Sequence, residues 1–411
     1  MPPHELHAQV QRAGFCSRPV RLRGHSDAIN TSTGELTPVI DSAGLPGGDL
    51  LVPCGNRRAT ACPACSRTYR GDAWHLIAAG LQGGKGVEQA VARHPCLFVT
   101  LTAPSFGAVH STRASGRRGR RCRHRRGTCP HGQRQGCAEK HSDKDPQLGQ
   151  PICPDCFDYR AAVLWNSRSS QLWDRTLITL RRELAMRLGV KPSRFAEIAT
   201  LSYVKVVEYQ ARGLVHFHAV LRLDGPKACL HPAPELDDAG FTDAVRISAK
   251  VTSLPAVADV PPSYWGSQLD VRVVKRGSDL PRKGAIAAYI AKYATKSTDD
   301  SGALDHRIRR RRDIELLAVN PHLRRMVLTC WELGAESALR SLRLREWAHA
   351  LGFRGHWTTK SRYYSTTFTA LREARRNHAA ARAGDPVPEA TIGHWSFAGR
   401  GYLVKDSGDR G

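Results

Sequence analysis

The sequence predicts an α+β protein with a β-hairpin, further strands and helices, cysteine-rich zinc-binding insertions and a helical C-terminal region. Short β-branched runs alternate apolar and polar residues, longer segments repeat apolar residues at helical spacing, and two Cys-Pro-x-Cys pairs occur in loop-like sequence. A chain of 411 residues can form roughly two to three domains. We expect a cysteine-containing region with a zinc site in residues 1–90, a main domain in residues 91–300 with a basic zinc-binding insertion at about 105–157, and a basic helical region in residues 301–411.

The pattern of apolar residues predicts the individual elements. In chain order, they are a helix at Asp72–Leu81, a buried strand at Cys96–Thr102, helical structure over residues 157–190, a hairpin of Tyr203–Tyr209 with Val215–Leu223, a strand at Gln268–Val274, and a helix over residues 284–297. The segment between residues 224 and 265 is expected to be loop with some helix. From about residue 304 onward the pattern is helical and basic.

The charge of the chain favours a polyanionic partner. The formal net charge is +25, and much of it comes from arginine, which suits bidentate contacts with phosphate. Nucleic acid is the simplest such partner, although a ribosomal or membrane-surface protein would show a similar excess. No stretch approaches the roughly 18 consecutive apolar residues of a membrane span. No secretory signal is recognisable, so we expect a cytoplasmic protein without a membrane partner.

Twelve cysteines in a reducing compartment indicate metal ligation, because structural disulfides are rare there. Two Cys-Pro-x-Cys pairs each present two thiolates to one tetrahedral metal. We therefore predict two structural Zn²⁺ sites. Their expected ligands are Cys16, Cys54, Cys62 and Cys65 for the first site, and Cys129, Cys137, Cys153 and Cys156 for the second, where His124, His131 and His141 compete.

A redox dithiol is the alternative for a C-x-x-C pair. That interpretation requires a thioredoxin-like βαβ context, which the sequence does not show. Three further cysteines, Cys96, Cys229 and Cys330, are isolated and are predicted to be small buried apolar residues.

Two histidines and a carboxylate form a candidate metal site. His216 and His218 lie in an alternating segment, so they share one strand face, roughly 6–7 Å apart, and can close on one metal ion. Glu208 lies eight residues before His216, across the predicted Arg-Gly turn, and a hairpin would bring it opposite the pair. Mg²⁺ or Mn²⁺ suits such ligands when coordination positions stay open. The alternative is two histidines on a solvated strand face.

A pair of tyrosines on one helix supplies a candidate nucleophile. Tyr289 and Tyr293 are four residues apart and share a face, with Lys292 and Lys296 at the same spacing beside them. A phenol can attack a phosphodiester and form a phosphotyrosine. A divalent ion would orient the phosphate, and a lysine would stabilise the developing charge. The alternative is an amphipathic helix with half-buried tyrosines and solvated lysines.

These residues resemble the HUH endonucleases, which initiate rolling-circle replication. Phe98–Thr102 is similar to the family's first motif, a strand with no direct catalytic role. His216–His218 is similar to its metal motif, and Tyr289–Lys296 to its nucleophile motif. The gap between Glu208 and His216 is similar to that of members whose carboxylate is the third metal ligand. The family fold implies a central antiparallel sheet that carries the metal, with the tyrosine helix beside it.

The two tyrosines resemble those of the φX-type phage initiators. Some plasmid initiators have a carboxylate at the first position and keep only the second tyrosine. The comparison implies Tyr293 as the nucleophile and Tyr289 as its partner, with Lys292 and Lys296 as electrostatic helpers.

Further segments resemble the plasmid replication initiators of actinomycetes over most of the chain. They are the Cys-Pro-x-Cys pairs, Tyr203–Val206, Trp265–Asp270 and Phe353–His356. The resemblance implies nicking at a plasmid origin that is single-stranded or cruciform at the nick. It also implies a 5′-phosphotyrosine link, a free 3′-OH that primes the host DNA polymerase, and a host helicase as a partner. A relaxase or transposase of the same superfamily and a non-catalytic, zinc-containing DNA-binding regulator remain as alternatives.

The basic segments give further DNA-binding hypotheses. Leu342–Gly355 and Tyr363–Arg376 could form a helix-turn-helix that reads a major groove, or an ordinary helical subdomain with a solvated basic face. The arginine-dense runs Arg117–Arg126 and His306–Arg312 could contact phosphates without sequence preference or simply be solvated.

Overall fold

The computed structural model of the protein describes residues 3–112, 122, 125–226, 234–257, 259–276, 280–296, 307–383 and 390–402. Its helices are α1 (Pro3–Arg12), α2 (Pro63–Gln82), α3 (Tyr159–Arg187), α4 (Phe195–Ile198), α5 (Asp238–Val251), α6 (Leu280–Lys296), α7 (Arg311–Glu315), α8 (Pro321–Leu333) and α9 (Phe368–Ala383). Its strands are β1 (Val20–Ile29), β2 (Leu36–Asp41), β3 (Leu50–Val52), β4 (Cys96–Thr102), β5 (Thr200–Tyr209), β6 (Val215–Asp224), β7 (Ser253–Leu254), β8 (Ser263–Tyr264), β9 (Leu269–Val273), β10 (Thr358–Lys360) and β11 (Ala390–Arg400).

The chain divides into two compact units, one of which combines both ends of the sequence. The first unit comprises Met1–Leu76 with Thr366–Gly411, and the second comprises Ile77–Ser365. In the first unit β11 pairs antiparallel with β1, which also pairs with β2 and β3. The three consecutive regions expected from the sequence differ from this division, because a strand near residue 390 returns to pair with a strand near residue 20.

The second unit is built on a five-stranded antiparallel sheet in the order β10-β5-β6-β4-β9. Helix α3 covers one face, where Trp173 stacks on Phe217 of β6 with ring centroids 6.1 Å apart. Helices α5 and α8 pack against α3. Helix α6 contacts β5, and its tyrosines meet His218, whose side chain leaves β6 on the face opposite to Phe217. The α+β class with antiparallel sheets is as expected.

Most of the elements predicted for the second unit are present. The strand Cys96–Thr102 has the predicted bounds, and the hairpin and the helices over residues 157–190 and 284–297 agree to within a few residues. Helix α2 begins at Pro63, nine residues before the predicted start, because the first Cys-Pro-x-Cys pair is part of its first turn. Cys96 and Cys330 are fully or nearly fully buried, as predicted.

The C-terminal region does not form the helix-turn-helix that was one of its two predicted alternatives. Leu344–Ala350 is a short 3-10 helix in which Leu344 and Ala348 are fully buried, so it is part of the core. Strand β10 follows it and extends the sheet by pairing with β5. A strand therefore lies between the two segments that were predicted to be adjacent helices. Most of Arg117–Arg126, with His124, lies outside the described residues, as do Cys229 and His306.

Among the described residues, no helix combines the length and the apolar character that crossing a bilayer requires.

A buried ion pair anchors the end of β6. Arg222 and Asp224 are fully buried and form two hydrogen bonds of 2.6 and 2.9 Å. His94 Nδ1 lies 2.7 Å from the same carboxylate. Burial alone would raise the pKa of Asp224, but the hydrogen bonds with His94 and Arg222 hold this pKa below its ordinary value.

We expect Asp224→Asn to destabilise the protein by about 3–5 kcal/mol, because it leaves the Arg222 charge buried without its partner. Denaturation of the full chain measures this loss. Because the pKa of Asp224 is depressed in the folded state, the stabilisation is present at neutral pH and is lost as the pH falls through the acidic range. The control is Glu197→Gln in the exposed pair with Arg194, where no measurable change is expected.

Candidate active site

A tight hairpin brings the predicted metal ligands together. Gln210 and Leu214 close the turn between β5 and β6 with a 2.9 Å backbone hydrogen bond, and Gly213 adopts a positive φ of 75° that a glycine tolerates without strain. The resulting register pairs Glu208 directly with His216. His218 follows two residues along the same face of β6. The predicted hairpin is thus confirmed.

The three side chains are close enough to share one ion. Their candidate ligand atoms all lie within 4.8 Å of one another. His218 Nε2 is 3.1 Å from Glu208 Oε1, and the rings of His216 and His218 are 4.7 Å apart. His218 is buried and Glu208 is largely shielded, so the group does not resemble a solvated strand face.

The environment keeps His216 neutral. Burial, together with the neighbouring His218 and Arg212, lowers the pKa of His216 to about 3. A metal ion requires an unprotonated imidazole nitrogen, which this side chain offers throughout the neutral range. The Nδ1 atom of His216 is buried and has no hydrogen-bond partner among the described residues. An unsatisfied buried nitrogen is costly, so the residues present fit a bound cation.

Two residues of β4 orient His218. The Thr100 hydroxyl lies 3.2 Å from His218 Nδ1, and the Phe98 ring is parallel to the imidazole at 5.9 Å. When the Thr100 oxygen accepts from Nδ1, the other nitrogen of His218 is available to a metal, as is usual for ligating histidines. The family resemblance implies no direct catalytic role for this strand. The cross-strand pairing of Thr100 with His218 is the signal that reveals the contact.

The two tyrosines of α6 lie against the histidine pair. The Tyr293 ring stacks on His218 with centroids 4.7 Å apart, and Tyr289 meets Tyr293 edge to face at 4.8 Å. Tyr289 is 44% exposed, whereas Tyr293 is partly buried. Lys292 Nζ is 5.7 Å from the centre of the Tyr293 ring. Lys296 is the last residue of α6, and its side chain lies outside the described part of the chain.

The Tyr293 phenol is protonated at neutral pH in this arrangement. Burial raises its pKa, and the hydrogen bond with Tyr289 and the charge of Glu208 raise it further. A phenol with a raised pKa is a weak nucleophile until a positive charge stabilises its anion. A cation at the nearby ligands would supply that charge.

The four cysteines predicted as ligands of the first zinc site lie together in the first unit. Cys16, Cys54, Cys62 and Cys65 have sulfur atoms within 4.8 Å of one another, and the pairs Cys54–Cys65 and Cys16–Cys62 are 3.7 Å apart. They form a small core together with Ala13 and Leu51. Four sulfurs at these distances suit a closed tetrahedral site.

We expect Cys62→Ser to remove one zinc ion per chain and to make the first unit sensitive to protease, because a structural zinc supplies much of the folding free energy of so small a core. Metal analysis and limited proteolysis of the full chain measure both effects. Cys330→Ala, outside any cysteine cluster, is the control. Unchanged zinc content in Cys62→Ser would contradict the prediction.

The second cluster differs from the predicted ligand set. Cys129, Cys153 and Cys156 are together, but their fourth neighbour is His131, whose Nδ1 lies 3.2 Å from the Cys156 sulfur. Cys137 lies elsewhere, in a third group with His110, Cys122 and His141. Cysteine spacing could not reveal this arrangement, because the two groups are interleaved along the chain.

Comparison with known proteins identifies the family. The family model described as RepSA, the replication initiator protein of pSAM2, matches residues 3–408. A replication initiator protein of Streptomyces ambofaciens is 41% identical over 419 residues, which cover 97% of this chain and 87% of that protein. No solved structure matches the chain. The chain therefore belongs to the RepSA family of replication initiator proteins.

Proposed function

We propose that the protein initiates rolling-circle plasmid replication by cutting one strand of the origin with a tyrosine nucleophile, as HUH endonucleases do. The observation that carries the proposal is the stacking of Tyr293 on His218 at 4.7 Å, beside three residues whose ligand atoms could bind one ion. A nucleophile, a metal-binding group and a net charge of +25 are then combined in one chain.

His216, His218 and Glu208 would hold Mg²⁺ or Mn²⁺. When bound, the ion would polarise the scissile phosphate and favour the phenolate form of the nucleophile. Thr100 would hold the orientation of His218 through its contact with Nδ1. Because burial, the hydrogen bond with Tyr289 and the charge of Glu208 raise the pKa of Tyr293, the proposal requires the bound cation to favour its phenolate.

In the proposed reaction the Tyr293 oxygen attacks phosphorus and the bond from phosphorus to the 3′-oxygen breaks. The phenol loses its proton to solvent, and the departing 3′-oxygen takes one up to become a hydroxyl. The products are a 5′-phosphotyrosine and a free 3′-OH that primes the host polymerase. Lys292 and Lys296 would stabilise the negative charge of the phosphoryl group. Tyr289 would perform a second transfer that resolves the first link.

The remaining features would serve DNA binding and stability. Two clusters would each hold a structural Zn²⁺: the Cys16 cluster (Cys16, Cys54, Cys62 and Cys65) and the Cys129 cluster (Cys129, His131, Cys153 and Cys156). The partner would be plasmid origin DNA, single-stranded or cruciform at the nick, with a host helicase opening the duplex. The exposed arginines would bind phosphates, so affinity should fall steeply with salt.

The test is to incubate the full-length protein and Mg²⁺ with the supercoiled plasmid that carries its gene and to map the cut. We expect one nick at a defined position, with the protein attached to the 5′ end. A cut at a transfer origin or an element end would indicate a relaxase or transposase instead. Duplex binding that persists in mild EDTA, with no cut in Mg²⁺ or Mn²⁺, would indicate a non-catalytic regulator and contradict the proposal.

A further inference from the structure

The insertion that follows β4 has almost no apolar core. Between residues 103 and 153 the described part of the chain forms no helix and no strand beyond isolated bridges. Within 105–152, its buried residues are Cys122, Cys129, Gly149 and Pro151. A segment of this kind needs another source of stability, and metal ligation is the usual one.

We propose that His110, Cys122, Cys137 and His141 form a third structural zinc site, distinct from the Cys129 cluster. The ligand atoms of the four side chains lie within 4.8 Å of one another. His141 Nε2 is 3.0 Å from His110 Nδ1 and 3.4 Å from the Cys137 sulfur. Two imidazole nitrogens and two thiolates constitute a familiar tetrahedral zinc set.

Hydrogen bonds from neighbouring groups orient two of these ligands for metal binding. Asp145 Oδ2 lies 2.7 Å from His141 Nδ1, so it accepts the proton of that nitrogen and leaves Nε2 unprotonated for coordination. This carboxylate–histidine pair is the arrangement that commonly supports a zinc-bound histidine. The Ser111 backbone N–H donates to the Cys122 sulfur at 3.2 Å and so helps to hold this sulfur in position. A plain hydrogen bond between His110 and His141 would not account for the two sulfurs at the same point.

The site fixes the insertion against the hairpin that carries the candidate active site. The carbonyl of His110 accepts from the Gly149 N–H at 2.9 Å. Gly149 lies so close to the β5–β6 turn that an added Cβ would be 2.2 Å from the Ala211 carbonyl carbon. His110 and Cys122 also line a cavity of about 500 Å³, together with Gln210 of the turn. A zinc ion at this site would therefore stabilise the cavity and the segment around Gly149. That segment lies against the turn that places Glu208 opposite His216.

Native mass spectrometry of the full chain, purified under reducing conditions, tests the proposal. We expect three zinc ions per chain, two in Cys137→Ser and two in Cys129→Ser. The Cys129→Ser, Cys137→Ser double variant should retain one. If both cysteines served one site, the double variant would lose no more zinc than either single variant, and the proposal would fail. Cys330→Ala, which should retain all three ions, controls for the loss of a buried thiol.

A measurement on the unaltered chain covers the case in which a ligand variant does not fold. Cadmium-113 NMR of the cadmium-substituted protein should give three signals, for sites with four, three and two sulfur ligands. Absence of the signal for two sulfur ligands, or a Cys122–Cys137 disulfide found by peptide mapping of the protein purified under reducing conditions, would overturn the proposal. Neither measurement depends on nicking activity, so the outcome is independent of the proposed function.

Discussion

Tyr293→Phe is expected to abolish the covalent protein–DNA adduct, with a fall in nicking rate of at least about 10³-fold, because it removes the proposed attacking hydroxyl from the ring that stacks on His218. Phenylalanine keeps the ring contact with His218, so the fold and DNA binding should persist. The measurement is adduct formation on origin-containing single-stranded DNA, resolved by denaturing electrophoresis. Single-stranded DNA affinity, measured in parallel, should change by less than about twofold.

Tyr289→Phe distinguishes the two tyrosines. Tyr289 is more exposed and lies farther from His218, at 5.7 Å, so its loss should leave the first adduct largely intact and impair only the second transfer. Tyr264→Phe, on an exposed tyrosine in β8, is the matched control and should behave as the unaltered protein. An undiminished adduct in the Tyr289→Phe, Tyr293→Phe double variant would refute the assignment of either tyrosine as nucleophile.

The His216→Ala, His218→Ala double variant is expected to lose metal binding and to reduce nicking by about 10²–10³-fold, because the carboxylate alone cannot hold the ion in place. Mn²⁺ affinity, followed by electron paramagnetic resonance in the full chain, is the direct readout. Glu208→Gln should weaken Mn²⁺ binding less, since it keeps a neutral oxygen ligand. Zinc content should remain unchanged, because the cysteine clusters are separate.

The control for the histidine variants is His378→Ala on the exposed face of α9. It removes an imidazole without touching the site, so Mn²⁺ affinity and nicking should both be retained. Unaltered Mn²⁺ affinity in the His216→Ala, His218→Ala variant would show that the ion binds elsewhere. Retained nicking with lost Mn²⁺ affinity would show that the cut needs no metal at this site.

The sequence predicted the elements of the second unit best where apolar residues are frequent and regularly spaced. Cys96–Thr102 and Val215–Asp224 are buried and rich in apolar residues, so periodicity locates them well. Strands β1 and β11 were not predicted, because their polar residues fit a loop as well as a half-exposed strand. Their pairing joins residues near 20 to residues near 400, a contact that no local pattern records.

The cysteine clusters also differ in how far the sequence could predict their ligands. The first tetrad could be inferred because its four members are the only cysteines of residues 1–90. The second could not, because two ligand groups are interleaved between His110 and Cys156. Spacing predicts that metal ligands exist, but only the folded backbone determines which of them share a point in space. The same limit explains why Cys137 was assigned to the second group, whose fourth member is His131, one of the competing histidines.

The sequence by itself determined the strand alternation that puts His216 and His218 on one face, the helical spacing that aligns Tyr289 with Tyr293, and the charge that favours a polyanion. These properties follow from local periodicity, which is fixed by the covalent geometry of each element. Only the tertiary structure decided that α6 lies over that face, that Thr100 supports His218, and that Cys137 belongs to a third group. Such contacts join residues far apart in the chain, and they arise from packing and hydrogen bonding that no single segment encodes.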